Sequence, residues 1–169
     1  MRQHVSIFIF ISMLVGLGGC QHEADMDPTD AQLLALARNT TGATWYKESD
    51  AKLPRSAGSG HNQALLRTRF NPIASTVLDT NGQVVPDTLF PNGSVIVKEL
   101  WDDASTLSLY AILFKKPDHP YADADGWVWG YVEPDGNARE LSSNKGMACR
   151  GCHSGTGNID FSLMNEAFP

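Results

Sequence analysis

Between residues 64 and 141, apolar and polar positions alternate in short runs separated by turn-forming residues. Leu65 to Phe70 reads as a strand, and Thr76 to Val85 as another carrying an Asn81-Gly82 turn signal. Ser94 to Trp101 is a clear strand, as are Leu107 to Phe114 and Trp127 to Glu133. Pro134-Asp135-Gly136 then turns the chain into a short strand ending at Leu141. Period-two alternation with turns at this spacing predicts an antiparallel sheet. Helical signals are few. Thr29 or Asp30 can cap a short helix through Leu33, Leu34, Leu36 and Ala37. Trp45 and Tyr46 read as core anchors near a turn, residues 52–62 as a Gly-, Ser- and Pro-rich loop, and Phe161 to Phe168 as a short closing helix.

The N-terminus follows a different pattern. Arg2 and His4 form a short polar head, and an apolar run from Val5 to Leu17 is too short to cross a bilayer. Small residues Gly18 and Gly19 then precede Cys20. This resembles the lipobox of a bacterial lipoprotein. The expectation is a signal peptide over residues 1–19, lipidation of Cys20, a polar tether over residues 20–29 and one domain over residues 30–169. The exported chain would be lipid-anchored to a bacterial membrane and face the periplasm. Gln21 is not the aspartate that would retain it at the inner membrane.

Residues 149–153 read Cys-Arg-Gly-Cys-His, the attachment signature of a c-type haem. Two thiols three positions apart lie on one side of a helical turn, and the next residue can aim an imidazole at the iron. Cys149 and Cys152 would form thioethers, and His153 would be the axial ligand of the haem iron. The competing readings are a redox pair, half a zinc site or a disulfide. A zinc site needs about four ligands and there is no second Cys pair. A thioredoxin-like pair belongs near a βαβ pattern, which this chain lacks. With lipid on Cys20 and one covalent haem c on the other two, all three cysteines are used. The expected fold class is therefore α+β, mainly antiparallel β-sheet with a few short helices and a C-terminal haem-attachment turn.

Charge narrows the partners. Thirteen basic side chains face 19 acidic ones, a net charge of −6. That argues against nucleic acid or anionic lipid as an electrostatic partner. An acidic surface could steer a basic redox protein, or could simply solubilise. Association into a homodimer is left open by the sequence.

The late motif excludes two common architectures. Small all-helical cytochromes c carry it near the N-terminus and take a Met from far downstream, whereas here only residues 154–169 follow. Four-helix cytochromes c′ need long amphipathic helices where this chain alternates like strands. Phe90-Pro91-Asn92-Gly93-Ser94-Val95-Ile96-Val97-Lys98-Glu99-Leu100-Trp101 instead resembles the "FP-x-G-(S/A)-x-(I/V)-V" strand of the cytochrome P-460 family. Gly126-Trp127-Val128-Trp129-Gly130 resembles that family's Trp/Gly strand. Gly60-His61, Pro134-Asp135-Gly136 and the late Cys149–His153 motif keep the same order. The resemblance spans roughly residues 40–155.

That family includes hydroxylamine-oxidising cytochromes P-460 and gas-binding cytochromes c′-beta. The resemblance implies a mostly antiparallel sheet and a haem iron without a strong sixth protein ligand. It also implies, for the enzymes, a lysine cross-linked to the haem from the segment before the Phe-Pro-x-Gly strand. No lysine lies between Lys52 and Lys98, and Ile73 stands near that position. An aliphatic side chain cannot make the link, so the expectation moves from hydroxylamine oxidation toward an ordinary c-type haem. The expected function is a monohaem cytochrome that binds or reacts with small nitrogen-oxide or diatomic ligands. The alternatives are a periplasmic electron carrier with a weak sixth ligand and a hydroxylamine-oxidising haem oxidoreductase.

The remaining candidates surround the iron. Phe70 and Phe90 are candidates for an apolar distal wall that would admit diatomic gases. Met26, His61, His119, Met147 and Met164 are weak candidates for a sixth ligand. Trp127, Trp129 and Tyr131 share one strand face, with Gly130 open to close backbone approach. Lys98 and Glu99 stand on opposite faces of one strand, so covering both faces buries at least one charge. Arg67 and Arg69 could reach a haem propionate or a distal ligand, and Arg150 a propionate, or each could stay in solvent.

Overall fold

The structure, a computed structural model, describes residues 26–162. The signal-peptide, Cys20, Met164 and closing-helix readings lie wholly or mostly outside these residues.

Seven strands form one antiparallel sheet: β1 (Thr44–Trp45), β2 (Leu53–Pro54), β3 (Leu65–Phe70), β4 (Val95–Trp101), β5 (Leu107–Lys115), β6 (Trp127–Val132) and β7 (Ala138–Glu140). The order is β1-β3-β4-β5-β6-β7, with β2 also paired to β3. The expected mainly antiparallel sheet with few short helices is therefore present, and β3 to β7 fall close to the predicted boundaries. The strand expected over Thr76 to Val85 does not form. Its first part is a 3₁₀ turn, Ala74–Val77, and one bridge joins Leu78 to Val84. Asp79 is the reason. Its carboxylate accepts the N–H groups of Asn81 and Gln83, closing a loop across Asn81-Gly82 instead of extending a ladder.

Helix α1 (Pro28–Arg38) begins two residues inside the stretch read as a tether. Its cap is Asp27, which accepts the Thr29 N–H at 2.8 Å, not Thr29 or Asp30. Pro28 follows as the first helical residue, where no intrahelical donor is needed. Asp30 is fully buried and accepts the Ser142 N–H at 3.0 Å, tying α1 to the segment after β7.

Register gives the sheet two distinct faces. On one, Val95, Val97, Tyr110, Ile112, Val128 and Val132 pack against Leu33, Leu34 and Ala37 of α1. On this face Glu99 accepts from Arg67 Nε and Arg69 Nη1, each at 2.5 Å. Arg69 also donates to the Ala37 carbonyl near the C-terminal end of α1, where a cation complements the helix dipole. Arg69, read as able to stay in solvent, is 2% exposed. The other face carries two rows across four strands. Phe70, Ile96, Leu113 and Trp129 are successive partners, and beside them run Thr68, Lys98, Ala111 and Tyr131.

Gly130 serves the helix face. A Cβ there would meet Leu33 Cδ1 at 2.9 Å and Ile112 Cδ1 at 3.4 Å. Its close approach is to α1, so the extra methyl of Gly130→Ala overpacks a filled site. It should cost about 1–3 kcal/mol in chemical denaturation; an unchanged midpoint would mean that α1 is not seated against this residue.

Candidate functional site

The Cys149–His153 motif forms a single helical turn, α2 (Arg150–His153), entered through Cys149. The His153 N–H reaches the Cys149 carbonyl at 3.2 Å. Gly146 lets this turn lie on the sheet. Its φ is +69°, and a Cβ would sit 2.5 Å from the Trp129 ring. The His153 imidazole meets the Trp129 ring edge-on, with centroids 5.2 Å apart. His153 Nδ1 lies 2.7 Å from the Phe161 carbonyl oxygen. In the neutral tautomer that Nδ1–H donates to this carbonyl and leaves the Nε2 lone pair available.

Arg150 lies inside the motif and over the Phe161 ring. It pairs with Asp123 at 2.7 Å and Asp125 at 2.9 Å. Asp123 also accepts Trp129 Nε1–H at 2.8 Å. Arg150 is a brace between the motif and the loop before β6.

The motif closes one side of a cavity of about 390 Å³. Cys149, Cys152 and His153 line it together with Phe70, Ile96, Leu113, Trp129, Tyr131, Thr68, Lys98 and His61. Of the two phenylalanines proposed as a distal wall, Phe70 lines the cavity and Phe90 does not. Phe90 stacks behind Phe70 with centroids 6.3 Å apart and meets Trp127 edge-on. It supports the wall without forming it, because Phe90 lies on the approach to β4 and packs between Phe70 and Trp127.

The weak ligand candidates separate in the same way. His61 lines the cavity and stacks on Tyr131 with centroids 5.8 Å apart. His119 accepts the Tyr121 N–H in a turn before β6, Met26 packs with the α1 core and Met147 is 76% exposed. Ile73 is partly exposed, with Cδ1 near Gly93, and is not part of the lining. The lysine of the cavity is Lys98, which β4 turns inward. Asp123, Thr68 and Asp160 were missed by sequence reasoning, because no spacing links them to the motif. Only the position of Asp160 shortly after His153 offered a signal.

Burial dominates the electrostatics. It pushes Lys98 down to about 7. Burial, with Lys98 and His153 nearby, holds His61 down at about 3, so this imidazole is neutral near pH 7. Burial also raises the Cys149 thiol, with Glu140 and Cys152 adding to it.

The donor set fits a covalently held haem. Both thiols are free, and they share the cavity wall with an imidazole whose second nitrogen is fixed. Among the described residues no three His, Cys, Asp or Glu side chains converge to hold a bare metal ion. Across the cavity the buried Thr68 Oγ1 has no hydrogen-bond partner among the described residues. A cavity lined mainly by apolar groups with a few converging polar ones is the usual form of a cofactor or small-ligand site.

The buried amine makes stability pH-dependent in the haem-free protein. Folded Lys98 releases its proton near pH 7 and the unfolded lysine near its ordinary 10.5. The unfolded state binds more protons between those values, so stability should rise with pH across that window. His61 adds a similar rise from about pH 3 to 6.5. Urea titrations of the parent and Lys98→Met should show the upper rise only in the parent; equal slopes would place Lys98 in water.

No protein-family model matches this chain, and no curated protein matches it.

Proposed function

We propose that the chain is a monohaem c-type cytochrome whose iron binds or reacts with small nitrogen-oxide or diatomic ligands. One observation carries the reading: the thiols of Cys149 and Cys152 and the imidazole of His153 line one cavity with a largely apolar opposite wall. Haem held there would supply an iron that can change oxidation state and bind a small ligand. Cys149 and Cys152 would hold it by thioethers. His153 Nε2 would ligate, with Nδ1 donating to Phe161 to fix ring and tautomer. Phe70, Ile96 and Leu113 keep the ligand side dry, while Lys98, Thr68 and His61 give it a few polar contacts. The reading includes export and lipid anchoring through Cys20, and leaves room for a redox partner protein.

Periplasmic expression should give a protein whose mass includes one haem and whose haem survives acid–acetone extraction, with Cys149→Ala and Cys152→Ala impaired in attachment. Carbon monoxide added to the reduced protein should change the optical spectrum. A low-spin six-coordinate spectrum unaltered by carbon monoxide or nitric oxide would overturn the open site and favour the electron-carrier reading. His61 is then the sixth ligand to test, being the one described candidate that lines the cavity.

Lys98 supports a second reading. The segment before the Phe-Pro-x-Gly strand holds no lysine, and Ile73, which stands near the cross-linking position in the sequence, is outside the cavity lining, whereas Lys98 of the strand is within it. A lysine thus lines the cavity from the strand itself rather than from the segment before it, and this is what supports the hydroxylamine-oxidising alternative. Burial leaves part of the Lys98 population unprotonated near neutral pH, and joining that nitrogen to a haem carbon removes one hydrogen from each and requires a two-electron oxidant such as peroxide. Peptide mapping of the haem-bound protein should find a haem-linked peptide containing Lys98 if this reading holds. Recovery of that peptide unmodified, with no hydroxylamine turnover, would exclude it.

A further inference from the structure

Asp160 and Phe161 follow the motif with φ of 44° and 65°, a left-handed conformation that non-glycine residues seldom adopt in succession. Such backbone persists where its surroundings over-determine it. Asp160 provides that constraint. Its nearly buried carboxylate accepts both from Lys115 Nζ, at 2.9 and 3.0 Å, and from Trp127 Nε1 at 3.2 Å. It also accepts the Phe90 N–H at 2.9 Å. One side chain thus ties this segment to β5, β6 and the approach to β4. Paired backbone bonds between Ile159 and Ser162, at 2.8 and 3.0 Å, close the loop around it. The carbonyl aimed by this loop is that of Phe161, the acceptor for His153 Nδ1.

We infer that Asp160 is a positioning residue for His153, holding the Phe161 carbonyl on the imidazole through the Lys115–Trp127–Phe90 clamp. The inference rests on the haem reading above. It follows from geometry, since Asp160 does not line the cavity and makes its contacts on the sheet side of the loop. A carbonyl held on Nδ1–H makes Nε2 a stronger donor to iron, which favours the ferric state. Loosening the clamp should weaken that donation and raise the reduction potential.

Charge alone predicts something different, and the ion pair allows the two to be separated. Removing the Asp160 carboxylate raises the potential through space, whereas removing the Lys115 ammonium lowers it. Loss of positioning raises it in both cases. The experiment is a spectroelectrochemical titration of the haem-loaded parent, Asp160→Ala, Lys115→Met and Asp160→Asn, with Leu33→Ala as a control destabilised on the other face of the sheet. The expected result is an upward shift in both Asp160→Ala and Lys115→Met, a smaller one in Asp160→Asn, which keeps one oxygen to accept from either Phe90 or Trp127, and none in Leu33→Ala. If Asp160→Ala does not fold, the sign of the Lys115→Met shift decides. Opposite shifts for Asp160→Ala and Lys115→Met, a downward or absent shift in Lys115→Met, or an equal shift in Leu33→Ala overturns the inference alone. A parent without covalent haem overturns the haem reading and this inference with it.

Discussion

Successive side chains of a strand point to opposite faces, and in β4 both faces are covered. Lys98 and Glu99 must therefore be buried on opposite sides of the same short segment. Each is accommodated differently. Glu99 receives two arginines, one of which continues to the end of α1, so the charge becomes part of the contact between helix and sheet. Lys98 is placed in a cavity, where burial lowers its proton affinity. The helix face is thereby a closed, ion-paired core, and the other face is left to hold chemistry.

The site is assembled on the rigid face by packing from its two ends. Phe90 backs Phe70 at one end, and the loop containing Asp160 reaches the same cluster, since Asp160 binds the Phe90 N–H and Trp127. At the other side Arg150, Asp123 and Trp129 seat the motif on β6. The imidazole of His153 is held by both systems, through the Trp129 ring edge and the Phe161 carbonyl. Rigid positioning of this kind keeps a site on regular elements more exact than one carried by loops alone.

The sequence made the strands legible because alternation is a local signal. β3 to β6 were readable in Leu65–Phe70 and the three long runs that follow. The run from Thr76 to Val85 was misread because its β-branched residues carry the same signal, while Asp79 spends its carboxylate on turn N–H groups. The helix cap was misplaced by two or three residues because Thr29, Asp30 and Asp27 are all good cap types, and only packing shows that Asp30 is needed by Ser142.

By itself the sequence determined the thiol, thiol and imidazole of Cys149, Cys152 and His153, since that chemistry depends on spacing within a single turn. It also determined that Lys98 and Glu99 lie on opposite faces, which period two requires. Only the tertiary structure decided which face is the cavity and which the core. That choice placed Lys98 rather than Ile73 in the cavity lining with the motif, Phe70 in the wall with Phe90 behind it, and Asp160 in the loop whose Phe161 carbonyl meets His153. Those relations join segments distant in the chain, and they follow from register and packing, which no local pattern encodes.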